Sequence, residues 1–482
     1  MKNLLLAAAA LLIASTGLTP AAASAAPAPC APFVKPTSPS KPPAEPPLAP
    51  TTVDTLKQAY DCIFTYYYGG PRLDDRVLLA AAFAGLTQEL QRRGKDHPAA
   101  TMPPLTGNRE ADWTAFAAVY ERVTVGADAA VRQALAAATM RVMVAALDDN
   151  HAAWERQEAP AEPKPESKPT DKPTGKPKDK DGPRRFVFYG IGIAGLSSRP
   201  DDPAARGPLF VTSLIPASPA ERQGVRPGDV IVSINGVPPF INGALIPQVL
   251  EPFVAENPNP VRLALRRPST GKVRTVKIKP GRVEGVEPAV TAKRLDGGIG
   301  YVKVPAFSSG VADRTLRAIA GLGSLKGLVL DLRGNGGGSP REVTRLLGTF
   351  AHGKVTSYFC DVAGACTPNR TDDSVPLLKL PLAVLTDRDC ASACDDFSAA
   401  VKDLRLGTLV GTWTAGLVSG PGEPYPLQDG SVLLLPRQHH LGPNRELINT
   451  IGVAVDHYAP MTAEALSAGR DPGLTKALQL LG

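Results

Sequence analysis

The sequence predicts a multidomain α/β protein: a helical N-terminal domain, a small β-rich module and an α/β core, joined by proline-rich spacers. At 482 residues the chain is too long for one hydrophobic core and should divide into two to four domains. Helix-forming apolar runs fill the early part of the chain, short β runs with turn signals begin at Phe186, and strands alternate with helical stretches from Gly298. The 49 prolines, set beside an aromatic content of only 5%, mark segments that cannot bury a core.

The chain opens with Met1-Lys2-Asn3, an apolar run from Leu4 to Ser15, a break at Gly17 and Pro20, and then Ala23-Ser24-Ala25. A charged start, an apolar stretch short for a bilayer and small residues at a cleavage point describe a signal peptide over 1–25; the alternative is an uncleaved anchor. The expectation is a secreted protein, extracellular or cell-wall associated, with no stable membrane span. An oxidising compartment then favours disulfides among Cys30, Cys62, Cys360, Cys366, Cys390 and Cys394. Three local pairs are the simplest arrangement, with Cys366 to Cys390 as a competitor, and the spacings lack the usual zinc-ribbon pattern. The net charge of +7 comes with no nucleic-acid motif, so no nucleic-acid partner is expected.

Residues 26–51 form a Pro/Ala-rich leader expected to be disordered. The helical domain is expected over 52–157, carried by runs such as Val77 to Phe83 and Val131 to Met143. A Pro/Lys-rich linker follows over 158–185, extended and solvated by composition. Next come β runs at Phe186 to Phe188, Gly190 to Ile193, Leu209 to Val211, Asp229 to Ile234, Val261 to Leu265 and Val273 to Ile278. A short helix starts at Ser218-Pro219 among them. In the core, Gly327 to Leu332 and Leu382 to Leu385 are strands, and a helix runs through Phe397 to Val401.

Within the β module, Gly224-Val225-Arg226-Pro227-Gly228-Asp229-Val230-Ile231 and the residues on to Gly236 resemble a PDZ domain of the protease-associated type, over 186–282. The resemblance implies that Tyr189, Gly190, Ile191, Gly192 and Ile193 form the loop whose amides meet a peptide's terminal carboxylate. By itself that run could be only a bulged strand. Over 288–482, Asp331-Leu332-Arg333-Gly334-Asn335-Gly336-Gly337-Gly338, Cys390-Ala391-Ser392-Ala393-Cys394 and Gly452-Val453 resemble the carboxyl-terminal processing (tail-specific) protease family. That family implies a Clp protease/crotonase-like core, a serine endopeptidase mechanism and polypeptide substrates engaged by their C-termini. It implies no metal and no organic cofactor.

On that resemblance Ser392 is the nucleophile, although serine at a helix start is most often an N-cap. A strand running into consecutive glycines can bare several N–H groups, which makes Gly336 or Gly337 one oxyanion donor; Ala393, first in the helix, is the other. The sequence departs from the main branch of the family in one respect. The turn expected to carry the catalytic lysine reads Thr414-Ala415-Gly416-Leu417-Val418, and leucine cannot accept a proton. The resemblance then shifts to the tricorn-core-like branch and to His151 as base, in Leu147-Asp148-Asp149-Asn150-His151. Asn150, Glu446 and Asn449 are candidates to orient it, and His439, His440 and His457 are substitute bases. An inactive PDZ peptide-binding protein and a serine esterase remain alternatives.

Overall fold

The computed structural model describes residues 30, 48–156, 185–197, 207–254 and 259–482. The expected signal peptide, the leader apart from Cys30 and residues 48–51, and the linker apart from Arg185 lie outside the described residues.

Four helices build the first domain: α1 (Val53–Tyr66), α2 (Asp75–Arg92), α3 (Arg109–Thr124) and α4 (Ala129–Ala145). The last three begin where a short polar side chain takes up a free amide: Asp74 that of Arg76, Asn108 that of Ala111, Asp128 that of Val131. Leu78, Leu79, Ala82 and Leu86 of α2 bury at helical spacing beside Val131, Leu135, Met140 and Met143 of α4. After α4 the chain turns at Asp148 and forms a short strand, Ala153–Glu155, antiparallel to Val432–Pro436 of the core. Tyr425, Leu427, Leu433 and Leu435 join the helical domain's own buried cluster. His151 therefore sits on the seam between the two domains.

The β module is a five-stranded antiparallel sheet in chain order: β1 (Ile193–Ser197), β2 (Phe210–Leu214), β3 (Val230–Ile234), β4 (Val261–Arg266) and β5 (Val273–Ile278), with β1 at an edge. Val261, Leu263 and Leu265 point inward at the two-residue period of a half-buried strand. The run expected as one strand from Gly190 to Ile193 is divided. Residues Arg185–Gly190 pair with Gly281–Val286 in a separate ribbon, and Ile191-Gly192 turns the chain into β1. Phe210 and Val230 pack on Ala463, which docks the module to the core.

The core carries a six-stranded sheet, also in chain order: β6 (Thr291–Arg294), β7 (Ile299–Lys303), β8 (Gly327–Asp331), β9 (Leu382–Thr386), β10 (Thr408–Gly411) and β11 (His457–Tyr458). Only β6 is antiparallel to its neighbour. Every residue of β8 and β9 is buried, as a parallel strand covered on both faces requires. Leu328, Leu330 and Val384 face α5 (Val311–Ala320), α6 (Pro340–Gly348) and α7 (Ala393–Asp403), whereas Val329, Ala383 and Leu385 face α8 (Pro472–Leu481). The loops after β8 and β9 emerge together at the carboxyl edge of the sheet, where open α/β sheets hold their sites.

Candidate active site

Ser392 lies between β9 and α7 in the turn Ala391–Cys394, closed by Cys394 N–H donating to Ala391 O at 3.0 Å. Its backbone, φ 57° and ψ −118°, matches the first central residue of a type II′ turn, a place that glycine ordinarily fills. Holding a serine there costs on the order of 1–3 kcal/mol. An N-cap serine has an extended backbone, so this conformation is not that of an ordinary cap.

Three devices hold the turn. The buried Asp395 carboxylate accepts the N–H of Ser392 (2.8 Å), Gly416 (2.9 Å) and Leu417 (3.1 Å), tying the Ser392 turn to the loop Thr414–Val418. Burial outweighs these amides and pushes the Asp395 carboxyl above the usual carboxylate range. Buried Asn335 accepts the Ala391 N–H on its carbonyl (3.0 Å) while its side chain donates to Val304 O and accepts the Gly337 N–H. Cys390 and Cys394, both buried, form a disulfide across the turn. The other pairs are Cys30–Cys62 and Cys360–Cys366, the three local pairs expected.

The glycine run meets this turn at Gly337. A Cβ there would lie 2.6 Å from Ser392 Cβ and 2.9 Å from the Ala393 nitrogen, so only glycine permits the approach. Of the two oxyanion candidates, Gly337 already gives its N–H to Asn335 Oδ1. The N–H groups of Gly336, Gly338 and Ala393 have no partner among the described residues. Behind the run, Asp331 accepts two hydrogen bonds from the Arg333 guanidinium and one from Tyr301 Oη, and Arg333 also grips Asp471 at the start of α8. Burial opposes the Asp331 charge, but Arg333 and Lys303 prevail and hold its carboxyl well below the ordinary range. This part of the signature anchors the strand end so that the glycines project from a fixed point.

His151 is not hydrogen-bonded to Ser392. Its Nδ1 lies 2.6 Å from Ser419 Oγ, and Ser419 in turn donates to Asp149 Oδ1 at 3.0 Å. Asp149 also accepts the His151 backbone N–H (2.9 Å) and Tyr67 Oη–H (3.3 Å). Burial alone would raise the Asp149 carboxyl, but the bonds from His151 and Ser419 hold it below the usual range. Ser419 lies only two residues beyond Leu417, which shares Asp395 with Ser392, so the two halves of the site are joined by one short loop.

None of the three expected orienters reaches the imidazole. Asn150 is exposed. Asn449 accepts the Val418 N–H and donates to Tyr68 Oη. Glu446 adjoins Asp403, the last residue of the 11-residue helix α7, roughly 15 Å from Ser392 by helix rise. Burial and the neighbouring Asp403 carboxyl push Glu446 up to about 7. Among the substitute bases, His440 is buried 3.4 Å from Asp396, His439 stacks edge-on against Tyr68, and His457 lies on the edge strand β11. Asp149, Asn335, Asp395 and Ser419 went unread in the sequence. Only Asp149 had a local signal, two residues before the histidine.

In the β module, Ile191 O accepts from Ala220 and Gly192 O from Ile215, while the N–H groups of Ile191 and Gly192 have no partner among the described residues. Gly192 has φ +80° and packs so closely on Ser218 that a Cβ would overlap it. Gly190 ends the ribbon, Tyr189 is exposed beside it, and Ile193 opens the edge strand β1. The geometry is a bent loop with two free amides next to an open strand edge.

Comparison with known proteins matches residues 298–459 to peptidase family S41 and residues 210–250 to the PDZ domain. Carboxyl-terminal-processing peptidase 2, chloroplastic, of Arabidopsis thaliana is 29% identical over 281 residues, 56% of this chain and 53% of that protein. Carboxy-terminal processing protease CtpB of Bacillus subtilis (strain 168) is 28% identical over 251 residues, 51% of this chain and 52% of that one. The chain thus spans about half the length of these curated relatives. The solved structure of mature CPAF complexed with lactacystin aligns over 89% of this chain and 97% of that one, with a TM-score of 0.54 at 13% identity, a likeness of fold. Residues 298–459 thus resemble peptidase family S41 and residues 210–250 a PDZ domain, and the chain is similar over about half its length to carboxyl-terminal processing proteases.

Proposed function

We propose that this protein is a secreted serine endopeptidase of the branch that lacks the catalytic lysine, acting on polypeptides engaged through the PDZ loop. The observation that carries the reading is the strained turn of Ser392, pressed against a glycine run beside the unpartnered amides of Gly336 and Ala393. Ser392 Oγ attacks a peptide carbonyl carbon, and its proton passes to His151 Nε2. The carbonyl electron pair, now on oxygen, is held by Ala393 N–H and by Gly336 or its neighbour Gly338. The imidazolium then protonates the leaving amine, and water releases the acyl group by the reverse roles. Leu417 contributes its backbone N–H to Asp395 and has no basic side chain to take the proton, which leaves that role to His151. No metal or organic cofactor takes part in the scheme.

A fluorophosphonate probe is expected to label the wild type and not Ser392→Ala, and His151→Ala should lower the labelling rate by about 10²-fold or more. Peptides with a free C-terminus should bind the PDZ loop better than amidated ones. A second reading, a PDZ peptide-binding protein without catalysis, draws on the absence of a His151–Ser392 hydrogen bond among the described residues. Bound tailed peptides with neither labelling nor cleavage would establish it. Cleavage of small esters but not peptides would point to an esterase.

A further inference from the structure

We infer that His151 is oriented and fixed in its Nδ1–H form by a relay through Ser419 to Asp149, two positioning residues that take the place of the Asn150, Glu446 and Asn449 candidates. The inference rests on the proposed role of His151 as base. It begins from the count of hydrogens around Ser419 Oγ, which has one hydrogen to give and three neighbours within bonding distance: His151 Nδ1 at 2.6 Å, Asp149 Oδ1 at 3.0 Å and Gly420 O at 3.3 Å, the last a longer and uncharged acceptor.

Asp149 is the group that decides. Its carboxylate receives three donors, the His151 backbone N–H, the Tyr67 hydroxyl and Ser419, and is 9% exposed. An ionised carboxylate can only accept, and those donors favour its charged form. Ser419 must therefore turn its hydrogen toward Asp149, which leaves an oxygen lone pair facing His151 Nδ1. A contact of 2.6 Å between that lone pair and a bare ring nitrogen would be repulsive, so Nδ1 carries the proton. Nε2 is then left with its own lone pair, and it has no partner among the described residues. This is the protonation state a general base needs, with the free nitrogen pointing away from the relay.

The direct separation of His151 Nδ1 from Asp149 Oδ1 is 3.6 Å, too long for a hydrogen bond, so Ser419 is required as the bridge. The bridge is itself held in place. Asn449 Oδ1 fixes the adjacent Val418 N–H, and Gly416 and Leu417 are pinned by Asp395. The loop that Asp395 ties to the Ser392 turn thus also supplies the serine that orients His151.

The test uses the full chain labelled with ¹⁵N-histidine, His151 being assigned by its loss in His151→Ala. Wild type at neutral pH is expected to show His151 as the Nδ1–H tautomer. In Ser419→Ala the bridge is gone. In Asp149→Asn the amide can donate to Ser419, which then turns its hydrogen to Nδ1. Both variants should shift the population toward Nε2–H and slow fluorophosphonate labelling by about 10-fold to 100-fold. Ser419→Thr keeps the hydroxyl and should restore the wild-type tautomer. A loss that is the same in the double variant as in either single one is expected for a shared relay. Circular dichroism and the thermal midpoint of Ser419→Ala guard against a loss by unfolding. An Nε2–H tautomer in wild type, or an unchanged tautomer in both variants, overturns the relay. The expected tautomer changes with labelling unaffected, even in His151→Ala, would leave the relay standing and remove His151 as the base.

Discussion

Gly337 is the residue on which the site turns, because a side chain there would meet three atoms of the Ser392 turn at once. An added Cβ would fall within 2.6 Å of both Ala391 O and Ser392 Cβ, neither of which is the movable end of a side chain. Its φ of +100° is itself unfavourable for any L side chain. Gly337→Ala is therefore expected to push the Ser392 turn away from the glycine amides and cut fluorophosphonate labelling by about 10²-fold or more. Gly334→Ala shares the strain of a positive φ, +73°, but its Cβ would meet no atom, so it should have a far smaller effect on labelling and separates the close approach from backbone strain. Equal labelling by the two variants would show that the close approach is not functional. At this scale the sequence was legible where the pattern is local: Ser392 between a buried strand and a helix, with the glycine run beside it. Asn335, Asp395 and Ser419 were not legible, because their partners lie far off in sequence: the Ala391 amide for Asn335, the Gly416 and Leu417 amides for Asp395, and the Asp149 and His151 side chains for Ser419.

Helix α7 carries Ser392 at one end and the Glu446–Asp403 contact at the other, so the sequence neighbourhood that suggested Glu446 as a catalytic partner belongs to the wrong end of the element. The misplacement has a physical source. Residues 442–449 follow a strand whose register is set by pairing with Val355–Asp361, and that pairing cannot be read locally. Glu446 instead gives the helix terminus a pH dependence. Its folded-state value of about 7 stands above the ordinary glutamate value, because burial and Asp403 disfavour the charge. A raised value means the folded state binds the proton more tightly than the unfolded chain. The resulting stabilisation is complete below about pH 4.3, declines as pH rises, and is lost through about pH 7. Glu446 Oε1 is enclosed without a partner, and Oε2 accepts the Asn444 N–H. Glu446→Gln keeps the neutral shape at every pH. The thermal midpoint of the variant, relative to wild type, should rise by a few degrees between pH 5 and pH 8, while fluorophosphonate labelling stays unchanged. A constant difference across that range would show that the Glu446–Asp403 contact is not the titrating element.

Across the whole molecule, the helical domain and the α/β core share one buried cluster, in which Leu56, Ile63, Met140 and Met143 pack with Tyr425, Leu433 and Leu435. Composition pointed to separate units but gave no sign of the joint, since the strand Ala153–Glu155 has three residues and finds its partner across the chain in Val432–Pro436. The PDZ module is attached more lightly, through Phe210 and Val230 on Ala463 and through its entry and exit ribbon. A polar cluster around Arg156 is among the contacts that hold the seam. Arg156 donates to buried Asp429 at 2.8 Å, to the Thr51 hydroxyl and to Ala49 O, and Thr51 itself donates to Asp429. Because Arg156 lies five residues after His151, this lock also holds the segment that presents the imidazole. Replacing it in Arg156→Met leaves the Asp429 carboxylate buried with only Thr51 and Ser431 to bond it, a loss of about 3 kcal/mol. Calorimetry should show the helical domain and the core melting in one transition, which Arg156→Met lowers as a unit. Labelling measured well below that transition should fall about 10-fold, as His151 loses its fixed position relative to Ser392. Two separate transitions, only one of them moved by the substitution, would mean that the helical domain folds independently of the core and that the catalytic seam is an association of finished domains.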